Sequence, residues 1–274
     1  MAVLPTTLFS PWAPQRYNET DMTITHAHPR PARFKIKDDA PGFRLNDRKI
    51  AFLRALARDR FLTSEQLADG DGGSHQKVLR ILRTLYDHQL VHRPPAQRFQ
   101  LATHDNRPLV YALAHAGARM LAELDGASVR DYNWTTKTKR RTAETILHSL
   151  AVADVMRAFQ KSLTARGFNL LDHDQLIPTF PEAMRKSNRG ASPFSLRVEI
   201  TPHAEEPRRL SVIPDRLFSP YLSGERANFA LELDKGTMPV CRWRDRKKQL
   251  LAFDQTSIAR KLVTYHTEIG RAHV

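Results

Sequence analysis

Cysteine is nearly absent from this chain. Cys241 is the one thiol among 274 residues, which excludes a disulfide framework and a cysteine-built zinc site. No run of roughly 18 apolar residues occurs, so no segment reads as a bilayer span. Glycine is sparse, 11 in all and scattered, and no glycine-rich loop is placed to cradle phosphates. The opening stretch MAVLPTTLFSPWAPQRY lacks a basic start and is broken by Pro5, Pro11 and Pro14, which argues against a signal peptide. Acid is in deficit as well: 29 Asp+Glu face 43 Lys+Arg, for a formal net charge of +14. An excess of that size favours a polyanionic partner, and DNA or RNA fits better than a membrane surface. The composition therefore predicts a cytoplasmic protein whose partner is a nucleic acid.

Patterning divides what remains. Residues 1–41 carry six prolines and few aliphatics and are expected to form a disordered arm; HAH at 26–28 within it reads as solvated rather than as a metal site. From residue 42 to 125 the punctuation is that of helices. Asn46 or Asp47 caps a first helix, with Ile50, Leu53 and Leu56 on one face. Thr63 and Gln66 form a capping box for a short second helix, and Ser74 opens a third. In that third helix Val78, Ile81, Leu82, Leu85 and Tyr86 make an apolar stripe, while Lys77, Arg80 and Arg83 fall mainly on the other side. Two short strands around a basic loop and a helix from about His115 complete the order helix, short helix, basic helix, hairpin, helix. That order predicts a winged helix-turn-helix domain that binds double-stranded DNA, with Lys77, Arg80 and Arg83 in the major groove and Arg93 and Arg98 at the wing.

A basic linker at 126–141, with Lys139, Arg140 and Arg141, is expected to touch phosphates or to be solvated. Beyond it, a long helix from about Thr142, several strands and a last helix predict a second, α/β domain over 142–268. There, SVIPDRLF at 211–218 and FALELDKG at 229–236 place Asp215 and Glu232 at or near strand ends, where neighbouring strands would set them side by side. Such oxygen ligands suit Mg²⁺. On the last helix Lys261 shares its stripe with Ile258, Leu262 and Tyr265, a costly place for an ammonium unless it meets a carboxylate or snorkels to water. His148 holds a comparable inward position on the long helix, beside Glu144, Ala151 and Val155. DHD at 172–174 reads as a turn.

Taken in order, RDRFLTSEQL, VLRILRTLYDHQLV, VYALAHAGARML, HSLAVADV, IPDRLF, ALELDKGTMPV and SIARKLVTYH resemble the replication-relaxation proteins of plasmids and mobile elements, over roughly residues 45–268. The resemblance implies bacterial proteins of mixed α/β fold, a winged helix followed by a restriction-endonuclease-like, PD-(D/E)xK-like domain. It further implies duplex DNA as partner in plasmid replication, DNA relaxation or mobilisation, with a relaxase or replication proteins as candidate associates. The nuclease motif would place a lysine two residues after the glutamate. Here Asp234 stands at that position, and Lys261 would have to supply the ammonium. The departure favours a nuclease-like domain without cleavage. The alternative is a Mg-dependent endonuclease in which Asp215 and Glu232 hold the metal and Lys261 orients water, and a third reading is a winged-helix transcriptional regulator. The closing IGRAHV, residues 269–274, is expected to be a non-native tail that truncates the second domain.

Overall fold

The computed structural model describes residues 33–98, 108–132, 141–187, 195–201, 206–236, 238–245, 247 and 250–271. Met1–Lys35 is one unit and Ile36–Val274 another, and every helix and strand among the described residues lies in the second. That unit is mixed α/β, and among the described residues each strand pairing is antiparallel.

Helix α1, Asp47–Asp59, starts where the Asn46 side chain accepts the Lys49 N–H at 3.1 Å, and buries Phe52, Leu53 and Leu56. Strand β1, Leu62–Thr63, leads into α2, Ser64–Asp71, through the reciprocal Thr63–Gln66 capping box. Helix α3, His75–Asp87, turns Val78, Leu82, Leu85 and Tyr86 inward. Ser74 has extended backbone ahead of α3, but its side chain makes no capping hydrogen bond. Strand β2, Val91–His92, precedes β3, Val110–Leu113, and helix α4, His115–Asp125, follows it.

The middle strand of the sheet β1-β3-β2 is the hinge of the packing. All four residues of β3 are buried because each of its faces meets a different layer. Tyr111 and Leu113 join the main core of α1 to α4, while Val110 and Ala112 join Phe61, Ala143, Ile146 and Leu150. The last three residues lie on α5, Ala143–Ala165, a helix of 23 residues. Gln97 extends the ladder: its amide donates to the Val110 carbonyl and accepts the Val110 N–H, each at 2.9 Å. Ile36 packs on the main core and the Lys37 N–H reaches Asp87 at 3.2 Å, so the part of the expected arm from Ile36 to Pro41 is held against α3. Val129 and Tyr132 likewise pack back on this core from within the expected linker. The arm through residue 32, including HAH, lies outside the described residues.

Strand β4 is Asn169–Asp172 and ends there because Asp172 caps the short helix α6, His173–Leu176; α7 spans Glu182–Ser187. Strands β5, Leu196–Ile200, and β6, Arg208–Val212, form a hairpin whose Val198 and Leu210 pack on Phe253. Strand β7, Arg216–Leu222, lies between β4 and the pair β8, Glu225–Arg226, and β9, Phe229–Leu231. The small pair β10, Trp243–Asp245, and β11, Leu250–Leu251, precedes α8, Ile258–Arg271. No helix among the described residues is long and apolar enough to cross a membrane.

Candidate nucleic-acid interface and carboxylate cluster

The apolar stripe of α3 fixes what its other side presents. With Val78, Leu82 and Leu85 fully buried, the helical period leaves His75, Gln76, Lys77 and Arg80 exposed. Arg83 is half-buried and its Nε donates to Asp87 at 2.7 Å, so part of its charge is spent within the helix. Arg98 is exposed at the end of a 3-10 turn, Pro95–Arg98. Arg93 departs from the expectation. It is 7% exposed, its guanidinium lies 4.1 Å from the Tyr86 ring centre, and it donates to the Tyr111 hydroxyl at 3.2 Å. Its position directly after β2 points it beneath the sheet, where two aromatic faces hold the cation. Arg141 is half-buried, and its charge together with burial depresses the Arg60 guanidinium to about 10, burial being the larger cause. Lys139 and Arg140 lie outside the described residues.

The acidic cluster is assembled by register. Arg216 pairs with Leu231 across β7 and β9, so one residue further Asp215 stands opposite Glu232. Backbone contacts lock this end: the Asp215 N–H donates to the Leu231 carbonyl and the Leu233 N–H donates to Asp215 Oδ2, both at 2.9 Å. His148 of α5 sits 2.9 Å from Asp215 Oδ1, and since a carboxylate only accepts, its Nε2 carries the proton. From α8, Lys261 Nζ reaches Glu232 Oε2 and the Tyr265 hydroxyl reaches Oε1, each at 2.5 Å. Burial foremost, then the Glu232 hydrogen bond and the charges of Glu232 and Asp215, push Tyr265 well above the ordinary tyrosine range. Asp215, Glu232 and Lys261 therefore come together, with His148 and Tyr265 completing the group. Leu262, expected on the same inward stripe, is 62% exposed; α8 instead turns Val263 and Thr264 inward. Strand β9 stops at Leu231, which leaves Asp234 and Lys235 exposed beyond it.

All four oxygens of the two carboxylates already accept a hydrogen bond from the protein, and the Lys261 ammonium neutralises Glu232. Among the described residues no group of three or more His, Cys, Asp or Glu is arranged to hold a metal ion. As arranged, the pair fits Mg²⁺ poorly: a cation would have to compete with Lys261 for Glu232 and share lone pairs at Asp215.

A second charged group is nearly invisible in the sequence. Arg216, 4% exposed, donates to Asp59 and to the Arg58 carbonyl at 3.1 Å, and its guanidinium lies 2.8 Å from His173 Nδ1. Asp172 Oδ1 lies 2.8 Å from that same ring nitrogen and 3.7 Å from Arg216 Nε, while Arg58 contacts both Asp59 and Asp172. This group joins α1 to β4, α6 and β7. Its visible signals are an arginine inside the apolar run IPDRLF and the DHD at 172–174, of which Asp172 and His173 join the group.

The family model described as replication-relaxation matches residues 53–267, a span that holds α3, the buried ionic group and the whole carboxylate cluster. The chain belongs to the replication-relaxation family. No curated protein matches this family member. Among solved structures it is similar to Lactococcus lactis ZitR, wild type in complex with DNA, at 15% identity and a TM-score of 0.24, over 50% of this chain and 86% of that one.

Proposed function

We propose that this replication-relaxation protein binds duplex DNA through α3 and serves plasmid replication, relaxation or mobilisation, without cutting the strand itself. In this reading residues 42–125 are a winged helix and residues 142–268 a restriction-endonuclease-like domain kept for binding or docking. The observation that carries it is the outward face of α3, where Lys77 and Arg80 stand exposed opposite a fully buried stripe. A helix of 13 residues is about 20 Å long and fits a major groove, where arginine and lysine meet base edges or phosphates. Arg98, exposed in the β2–β3 connection, would serve as the wing contact, and Arg141 lies beyond α4 in the chain. Arg93 takes no part, since Tyr86 and Tyr111 enclose it.

Support for the non-cutting role comes from the donors already placed on every oxygen of Asp215 and Glu232, from His148, Leu233, Lys261 and Tyr265, and from the Lys261 charge that neutralises Glu232. The nuclease alternative draws on one observation as well: the register that sets Asp215 opposite Glu232 with a lysine beside them. In that alternative the two carboxylates would hold Mg²⁺, a Lewis acid, and Lys261 would orient the attacking water.

A gel-shift salt titration over plasmid fragments tests the main reading. Replacing Lys77 and Arg80 by alanine is expected to weaken duplex binding by about 1–3 kcal/mol per base-edge contact, or to flatten the salt slope by about 1 per phosphate contact. Unchanged affinity together with an unchanged slope would refute the placement of α3. Incubating supercoiled plasmid with Mg²⁺ or Mn²⁺ separates the two roles. Nicking that disappears in a Glu232→Ala protein of wild-type stability would establish the nuclease, whereas nicking equal in both proteins would assign it to a contaminant.

A further inference from the structure

The surface formed by β10 and β11 has a different chemistry from α3. Trp243 is 41% exposed, an unusual place for the largest side chain, and Val240 nearby is 67% exposed. Beside Trp243 in the chain stand Arg242, Arg244 and Lys247, all exposed, with Asp245 as the one acid between residues 242 and 247. A lone exposed apolar residue needs no explanation, but a tryptophan set among three cations has the composition of a nucleobase-stacking platform.

The platform is also firmly mounted. Trp243 pairs with Leu251, and Leu251 packs on the cluster of Val198, Leu210 and Phe253. The Ala252 N–H donates to the Arg242 carbonyl at 2.7 Å, and Arg242 Nε donates to the Thr256 carbonyl at 3.1 Å. The preceding turn is pinned to α8, whose Ile258 and Ala259 N–H groups donate to the Pro239 and Val240 carbonyls at 3.1 and 2.9 Å. The exposure of Trp243 thus belongs to an ordered ribbon that is tied to the core through Leu251.

We infer that Trp243, with Arg242, Arg244 and Lys247, forms a second nucleic-acid site that takes single-stranded DNA, one base stacking on the indole and the cations meeting the phosphates. A base paired inside a duplex hides its faces, so an aromatic side chain offered at a surface selects unpaired bases, and it does so without reading sequence. Positive charge alone would serve either form of DNA. The indole is what decides between them.

The test is fluorescence anisotropy with a labelled oligothymidylate of about 20 nucleotides and a duplex of equal length, on the full chain. Trp243→Ala is expected to weaken oligothymidylate binding about 5- to 150-fold and to move duplex affinity by less than about twofold, with Trp243→Phe keeping most of the binding. Should Trp243→Ala fold poorly, the pair Arg242→Ala and Lys247→Ala supplies a second readout. It should flatten the salt slope on the oligothymidylate by about 0.7 for each phosphate that the two cations neutralise. Lys77→Ala with Arg80→Ala should do the reverse, weakening duplex binding while leaving the oligothymidylate unchanged. Failure of the α3 reading and failure of this one are therefore distinguishable. Wild-type affinity for oligothymidylate in Trp243→Ala, equal losses on both DNA forms, or a preference for oligouridylate would overturn the assignment.

Discussion

Removing the Arg216 cation tests how the front and back halves of the chain are joined. Its side chain and that of Asp59 are each 5% exposed, so truncating either leaves a charge in a medium that solvates it poorly. Breaking a buried pair of this kind costs about 3–5 kcal/mol. The structure argues for the lower end in Arg216→Met, because Arg58 still faces Asp59 at 3.0 Å and Asp172 at 3.5 Å. We therefore expect a loss of about 3 kcal/mol, read as a fall in Tm of about 6–12 °C for a unit of this size. Arg58 is the reserve cation, so the double variant Arg58→Ala with Arg216→Met should lose more than the sum of the singles, by about 0.5–3 kcal/mol. Adding Asp59→Asn to Arg216→Met removes the stranded charge and should return part of the stability. Urea unfolding followed by circular dichroism measures all of these proteins. If Arg216→Met lies within about 0.5 kcal/mol of wild type, or the double variant is additive, the group is not a coupled buried network.

Three other perturbations have outcomes set by neighbouring groups. Burial opposes the charge of Asp172, but the His173 hydrogen bond and the Arg216 charge outweigh it and hold the carboxyl at about 2. Because the folded value lies below the unfolded one, the stabilisation is complete above about pH 4 and is lost as pH falls toward 2; it amounts to about 2 kcal/mol. Denaturation between pH 5 and 2 should show that loss in wild type and not in Asp172→Asn. Gly117→Ala sets helix propensity against packing: alanine favours a helix by about 1 kcal/mol, yet its Cβ would stand 2.2 Å from the Leu90 carbonyl oxygen and 2.8 Å from Leu113 Cδ1. Packing should win, with a net loss of about 1–3 kcal/mol on thermal melting. Lys261→Met leaves Glu232 with Tyr265 as its remaining donor in the cluster and should lower stability by about 1–3 kcal/mol, a loss that Glu232→Gln in the same chain partly restores.

The front half was legible because its signals are local. The Thr63–Gln66 capping box, the 3.6-residue stripe of α3 and the caps of α1 and α5 each need only a few neighbouring residues, and each places its helix within a residue or so. The same stripe put Lys77 and Arg80 on the open side. Arg93 was misplaced because its partners, Tyr86 and Tyr111, lie 7 residues before it in chain and 18 after, and a basic residue after a strand ordinarily points to water. In the back half, β9 covers only the first part of FALELD. The strand yields after Leu231, since Leu233 turns its N–H to the Asp215 carboxylate instead of to a neighbouring strand.

The carboxylate cluster shows what a sequence can and cannot say about a charged site. A lysine on an inward helical stripe calls for a carboxylate or a path to water; the resemblance, not the stripe, pointed it to the Asp215–Glu232 pair, and the structure sets it on Glu232. The stripe does not say whether the carboxylate is left over for other work. That depends on how many donors converge, and here they come from α5, the end of β9 and α8, three elements far apart in the chain. His148 and Tyr265 were visible on their stripes, but nothing local tied either to Asp215 or Glu232. The consequence reaches the function. A metal would have to share or displace donors that already tie each oxygen to the fold, so removal of Glu232 should register first as lost stability. A Glu232→Ala protein that keeps wild-type stability but loses strand cleavage would reverse that order and make the cluster catalytic.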